Sequence, residues 1–167
     1  MSAQQQKAGS LRVARFSFSA SQMNDSSPIR WSQLPHAPAA GTIVCALNDL
    51  ADGGVAMFEF GPRFGPDAAM DKPFRLLVLR SGESVFGYAN RCAHFGVPLA
   101  ANVEQLIYKP HVSISCNVHY ARYRWQDGVC EFGDCEGEAL LKVPLDVVAG
   151  QVSIANEMET AVSQCVG

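Results

Sequence analysis

Val112-Ser113-Ile114-Ser115-Cys116-Asn117-Val118-His119-Tyr120-Ala121-Arg122-Tyr123-Arg124-Trp125-Gln126-Asp127-Gly128-Val129-Cys130-Glu131-Phe132 reads as a strand, a loop and a hairpin. Residues 112–115 are a short β-prone run entering the loop. Residues 122–125 and 129–132 flank Asp127-Gly128, a residue pair suited to a tight hairpin turn. The same pattern continues outward. Candidate strands fall at 41–47, 55–60, 74–79 and 85–89, divided by Asn48-Asp49, Gly53-Gly54, a loop at 61–67 and the turn Ser81-Gly82-Glu83. A closing hairpin is expected over 147–154. Many short strands with few helix-length periods predict an all-β domain.

The loop inside the quoted stretch holds Cys116 and His119. An upstream loop holds Cys92-Ala93-His94, so two thiols and two imidazoles stand in two short segments. Taken singly, a Cys is usually a small core residue and a His a hydrogen-bonded surface residue. Taken together, two of only four histidines fall two or three residues from two of six cysteines. Soft thiolates can hold one iron of a [2Fe-2S] cluster while neutral imidazoles hold the other. Zinc is the rival metal. Its usual Cys2His2 order places both thiolates before both histidines, whereas here the order alternates, which favours iron-sulfur and leaves zinc as the alternative.

Cys-x-His, a spacer and Cys-x-x-His resemble the ligand pattern of Rieske [2Fe-2S] proteins. The resemblance extends over Asn90-Arg91-Cys92-Ala93-His94-Phe95-Gly96-Val97-Pro98-Leu99, Tyr123, Asp127-Gly128, Cys135-Glu136-Gly137 and the segments 140–145 and 150–154. It is closest in type to the soluble Rieske ferredoxins of oxygenase systems. It implies a Rieske-type antiparallel β domain over residues 31–156, with two ligand loops in a cluster-binding part at about 90–137. Residues 1–30 would be a flexible leader or an added edge strand, and 157–167 a tail. One [2Fe-2S] cluster per chain would be held by Cys92 and Cys116 on the inner iron and by His94 and His119 on the outer. Tyr123, Gly96, Pro98 and Gly137 would support these ligands, Tyr123 by donating toward the Cys92 sulfur. Phe95, Pro98, Leu99 and Tyr120 would form the apolar surround.

Two departures from the high-potential members matter. Val97 and Val118 stand near where those proteins place an extra disulfide, and Ala121 stands where they place a serine hydroxyl. With one donor fewer, the potential is expected in the lower to middle part of a range of roughly -150 to +300 mV.

The resemblance implies an electron carrier without catalysis of its own, passing single electrons from a flavin reductase to a terminal oxygenase. The small subunit or accessory domain of a nitrite reductase is the alternative. A structural zinc-binding or interaction protein is a third reading. A second site of two histidines and a carboxylate for mononuclear iron is not recognisable in the chain.

Composition fits a single domain. The chain has 167 residues, of which 48% are hydrophobic, and a net charge of -3, which argues against a nucleic-acid partner. No apolar run is long enough for a membrane helix, and the N-terminus lacks a basic start followed by an apolar core, so a cytoplasmic location is expected. Oligomeric state is not legible. Cys45 is expected in the core and Cys165 in the tail; the spacing of Cys130 and Cys135 permits metal binding or a disulfide, but the resemblance assigns neither and exposed free thiols are the expectation. Residues 1–30 carry a charge of +3, and the rest -6. Asp127, Glu131, Asp134, Glu136 and Glu138 form an acidic stretch without a basic residue inside it, either a solvated hairpin or a surface that steers a basic partner. Residues 100–106 lengthen the spacer and are expected to add a turn or a short helical turn, with Pro110 leading into the strand at 112–115. His111 is a reserve ligand only.

Overall fold

The computed structural model describes residues 28–62 and 72–156. Residues 1–27 of the expected flexible leader or added edge strand, most of the 61–67 loop and the tail with Cys165 lie outside the described residues. The strands are β1 Ile43–Ala46, β2 Val55–Phe60, β3 Phe74–Ser81, β4 Ser84–Ala89, β5 Ile107–Lys109, β6 Ser113–Ser115, β7 Arg122–Arg124, β8 Cys130–Phe132, β9 Lys142–Val143, β10 Leu145–Val148 and β11 Gln151–Ile154. They form three antiparallel sheets, ordered β1-β11-β10, β2-β3-β4-β9 and β5-β6-β7-β8. The all-β expectation is borne out, with helical structure among the described residues limited to single turns such as Val103–Gln105.

Strand β3 explains how the sheets enclose two cores, one on each of its faces. Successive side chains of a strand point to opposite faces, and Phe74-Arg75-Leu76-Leu77-Val78-Leu79 is apolar on both. Phe74, Leu76 and Val78 pack with Val143, Val152 and Ile154 against the β1-β11-β10 sheet. Leu77 and Leu79 turn the other way, to Tyr88, Ile114, Tyr123 and Trp125. Leu76 through Leu79 are fully buried. The β2-β3-β4-β9 sheet is therefore the middle layer, and the cysteines of both ligand loops pack into the cluster on its second face. Strand β4 follows the same alternation, and Gly87 is required where it passes β9, because a Cβ there would lie 2.6 Å from the Val143 carbonyl oxygen.

Two elements differ from expectation. The first strand stops at Ala46, because Leu47–Asp49 turns as a 3-10 helix that buries Leu47 while the Asp49 carboxylate accepts the Ala46 N–H at 3.3 Å. The spacer does form a helical turn at Val103–Gln105, with the Asn102 side chain accepting the Gln105 N–H at 3.1 Å. It then adds β5, which was not expected, paired with β6 from Ile107↔Ser115 to Lys109↔Ser113. Pro110 and His111 make the turn between them: the Val112 N–H donates to the Lys109 carbonyl at 3.0 Å, and His111 takes a left-handed φ of 60°.

Candidate metal centre

Both ligand loops are the same backbone turn built twice. In the first, the Cys92 N–H donates to the Val97 carbonyl at 2.7 Å and the Gly96 N–H to the Cys92 carbonyl at 2.8 Å. In the second, the Cys116 N–H donates to the Ala121 carbonyl and the Tyr120 N–H to the Cys116 carbonyl, both at 2.9 Å. Four residues after each cysteine the chain enters the left-handed region, at Gly96 with φ 68° and at Tyr120 with φ 55°. Such a turn folds the chain back around the sulfur and sets a histidine two or three residues on beside it.

The loops are anchored from different layers. Asn90, 8% exposed at the end of β4, accepts the Leu99 N–H at 2.9 Å and donates its amide to the Ala100 carbonyl at 2.8 Å, closing the base of the first loop. The second loop joins β6 to β7. The Asn117 N–H donates to the Leu99 carbonyl at 2.9 Å, which binds one loop to the other, and its side chain donates to the Gln105 carbonyl. Asn90 and Asn117 thus hold the two loops in place, and neither is among the supporting residues expected from sequence. Asn90 stands two residues before Cys92, but a buried amide closing a loop has no pattern of its own.

Cys92, Cys116 and His119 offer ligand atoms that all lie within 4.8 Å of one another, with both cysteines buried and the histidine half-buried. His119 Nδ1 is 3.9 Å from the Cys116 sulfur. His94 stands beside His119, ring centroids 5.3 Å apart, and its Nδ1 is a buried nitrogen with no hydrogen-bond partner. His94 is not itself within that close group, but a buried imidazole nitrogen left without a partner beside the group's histidine is costly in a protein interior unless a metal takes it. The donor set fits a mixed thiolate and imidazole centre. Burial pushes the Cys116 thiol up, opposed by the N–H groups of His119 and Val118 that face its sulfur; those donors favour the ionised, metal-binding form.

Tyr123 lies beneath this group, fully buried in β7. Its hydroxyl is 3.0 Å from the Cys92 sulfur and 3.2 Å from the Cys135 sulfur, and accepts the Ala93 N–H at 3.2 Å. Burial, with the neighbouring sulfurs adding to it, holds its pKa far above the ordinary tyrosine value, so it stays a donor. Gly96 carries the left-handed turn of the first loop. Gly137, at φ 88°, donates its N–H to the Cys130 carbonyl at 3.0 Å and so shapes the loop behind Tyr123.

Several expectations need correction. Of the apolar surround, only Leu99 is buried; Phe95 and Tyr120 are 66% and 69% exposed, and Pro98 is also exposed. Water is excluded from the thiols by Leu99, Leu106, Ile114, Tyr123 and Trp125 instead. Cys130 and Cys135 are not exposed: both are buried, with sulfurs 3.1 Å apart. Cys45 is only half-buried at the margin of the other core. His111 is held away from the ligand loops by the Ser81 hydroxyl, 2.9 Å from its Nδ1. The acidic stretch is partly neutralised across the hairpin, because Arg124 grips Asp127 at 2.6 and 3.0 Å and Arg122 meets Glu131 at 2.7 Å.

A family model described as Rieske [2Fe-2S] domain matches residues 42–147. Among solved structures, the chain is similar to the ferredoxin of carbazole 1,9a-dioxygenase from Nocardioides aromaticivorans IC177, at 19% identity over 70% of this chain and 99% of that one, with a TM-score of 0.49. It is similar to the reduced complex between oxygenase and ferredoxin in carbazole 1,9a-dioxygenase, at 24% identity over 67% of this chain and 27% of that one, with a TM-score of 0.51. The terminal oxygenase of carbazole 1,9a-dioxygenase from Novosphingobium sp. KA1 gives 22% identity over 69% of this chain and 30% of that one, with a TM-score of 0.50. The chain thus spans under a third of the last two and shares their fold there. No curated protein matches it. No helix among the described residues is long and apolar enough to cross a membrane.

Proposed function

Because the chain belongs to the Rieske [2Fe-2S] domain family, we propose that it is a one-electron carrier whose cluster is held by Cys92 and Cys116 on one iron and by His94 and His119 on the other. The observation that carries the ligand set is the orphaned, buried His94 Nδ1 beside the close group of Cys92, Cys116 and His119. When bound, such a cluster takes up and releases single electrons at a potential raised by its imidazole ligands.

The residues divide the labour by depth. The thiols sit in a dry interior, where Leu99, Ile114 and Trp125 keep water away and Tyr123 offers a hydrogen bond to the Cys92 sulfur. The imidazoles are half-buried and reach the surface beside Phe95, Val118 and Tyr120, which are 59–69% exposed. An electron would leave through that histidine edge into a partner that covers the three apolar side chains. The source would be a flavin reductase and the acceptor a terminal oxygenase, a reading supported by the fold shared with carbazole dioxygenase components. A cytoplasmic setting suits it, since Cys92 and Cys116 must remain separate thiols until the metal arrives, and a reducing compartment keeps them so.

Iron and acid-labile sulfide analysis with an electron paramagnetic resonance spectrum of the dithionite-reduced protein tests the centre. Equal iron and sulfide with a signal of low average g is the expected result. Iron-free, sulfide-free protein that retains zinc would refute it. Reconstituted turnover with a reductase and an oxygenase tests the place in the chain of transfer.

A further inference from the structure

We infer that Cys130 and Cys135 form a second, two-electron redox site, a thiol pair that a small oxidant of the peroxide class converts to a reversible disulfide, with Tyr123 passing its state to Cys92. The disulfide is argued from this chain's thiols alone; the effect on Cys92 rests on the function proposed above.

The backbone builds the pair. Cys130 opens β8, and the chain then doubles back so that the Cys130 N–H donates to the Glu138 carbonyl at 2.7 Å while its carbonyl accepts the Gly137 N–H at 3.0 Å. Gly133 and Gly137, with φ of 116° and 88°, make the bends. Within this closed loop the acidic side chains of Glu131, Glu136 and Glu138 remain exposed while both thiols turn inward. The sulfurs meet at 3.1 Å, and each is at most 2% exposed by residue. A disulfide bond is about 2.05 Å long, so closure requires roughly 1 Å of sulfur movement, within reach of side-chain rotation and slight loop adjustment. The loop between them is short, so the bond would constrain little chain and would remain easy to reduce.

The chemistry balances without help from the metal. One thiol attacks the peroxide, the O–O bond breaks, an S–O bond forms and one water leaves. The second thiol then displaces the sulfenic oxygen as a second water, and the S–S bond forms. The two sulfurs lose two electrons, the peroxide gains them, and both thiol protons end in water. A small dithiol reverses the step by supplying two electrons and two protons. Burial pushes the Cys130 thiol up to about 11, so little thiolate is present at neutral pH and the pair answers sustained rather than brief exposure.

Tyr123 is the link. Its hydroxyl has one proton and two sulfur neighbours, Cys92 at 3.0 Å and Cys135 at 3.2 Å. In the dithiol form the Cys130 thiol donates to the Phe132 carbonyl at 3.3 Å and the Cys135 thiol to the Cys130 sulfur, which leaves the Cys135 sulfur free to compete for the tyrosine proton. Disulfide formation removes both S–H groups and draws Cys135 toward Cys130. The hydroxyl then donates to Cys92 alone, which favours added negative charge there.

The test uses the full chain carrying its metal. After peroxide treatment and alkylation, peptide mass mapping should find Cys130 joined to Cys135, lighter by two hydrogens, and dithiothreitol should restore both thiols. Redox titration should give the disulfide form a more positive midpoint, a shift absent in Tyr123→Phe and in Cys135→Ala. Both thiols still open to alkylation, or one over-oxidised without a cross-link, would overturn the site. A disulfide with no midpoint shift would overturn the link through Tyr123. Iron and sulfide analysis of the same sample judges the proposed cluster separately, since the peptide map reads the thiols whether or not a cluster is present.

Discussion

Tyr123→Phe should make the midpoint potential more negative by about 40 mV. The substitution removes one oxygen from a fully buried ring and leaves its packing in place. That oxygen lies 3.0 Å from the Cys92 sulfur. A hydrogen bond to a charged group contributes about 1.5–3 kcal/mol, but only the part that differs between the oxidised and reduced states moves the potential. The reduced state carries one more negative charge near Cys92, so the bond is stronger there and its loss favours the oxidised state. If the difference is about 1 kcal/mol, and a tenfold change in equilibrium is 59 mV for one electron, the shift is about 40 mV. The variant also strands the Ala93 N–H, which now donates to the hydroxyl at 3.2 Å, at a cost of about 1–3 kcal/mol in stability. Redox titration and thermal unfolding must therefore be run together. A folded, fully loaded variant with an unchanged midpoint would show that the hydroxyl proton does not go to Cys92. A drop in melting temperature alone would not rescue the argument.

Gly128→Ala should destabilise strongly, because its Cβ would lie 2.6 Å from a carbon of the fully buried Tyr88 ring at a φ of 70°; Gly96→Ala, whose Cβ would meet the flexible end of Arg91, should cost only about 1–2 kcal/mol. Chemical denaturation measures both, and equal losses would contradict the packing at Tyr88. Tyr120→Gly should leave stability unchanged or raise it, since it relieves a left-handed φ of 55° at an exposed side chain. A clear loss in unfolding midpoint would mean that the ring packs on the loop. Asp127→Asn isolates a charge, because the amide oxygen can still accept the Val129 N–H that Asp127 accepts at 3.0 Å. Arg124 holds the Asp127 carboxyl below its usual 3.8, so the stabilisation is present above that pH and fades as pH falls through the lowered folded value. For an exposed pair it amounts to about 0.2–1 kcal/mol. Melting curves of parent and variant should differ at neutral pH and converge in acid; a constant gap would exclude the ion pair as its cause.

What was legible in the sequence is local. Asp127-Gly128 announced its hairpin, and each Cys and His announced its loop, because turn chemistry and ligand type act over a few residues. The double burial of Leu76 through Leu79 was legible only as an apolar run, since which layer covers each face is a tertiary fact. Strand β5 was missed because Ile107-Tyr108-Lys109 is too short to carry a period and sits in a spacer that reads as loop. The exposure expected for Cys130 and Cys135 failed for a related reason. Gly133, Gly137 and the acidic side chains between and beside the cysteines mark a surface loop, and so it is on its outer side. The two thiols five positions apart turn inward only because the loop closes on Cys130. The pairing of Arg122 with Glu131 likewise depends on the β7-β8 register, which shifts between Arg122 and Tyr123, and no composition count anticipates that.

The long spacer is more than a surface insertion. Two loops of identical backbone design, grown from different sheets, need something to fix the distance between their sulfurs. The Asn117 N–H on the Leu99 carbonyl ties the second loop to the base of the first, and the Asn117 side chain on the Gln105 carbonyl ties it to the inserted helical turn. The insertion is itself held to the middle sheet, where Arg75 donates to the Ala101 carbonyl at 3.1 Å while its Nε donates to Glu59 at 2.8 Å. Buried Leu106 then anchors the far end in the core beside Ile114 and Trp125. A carrier of single electrons benefits from ligands that move little between its two states. Here that rigidity comes from backbone carbonyls presented by the spacer, which connects the middle sheet to both ligand loops at once.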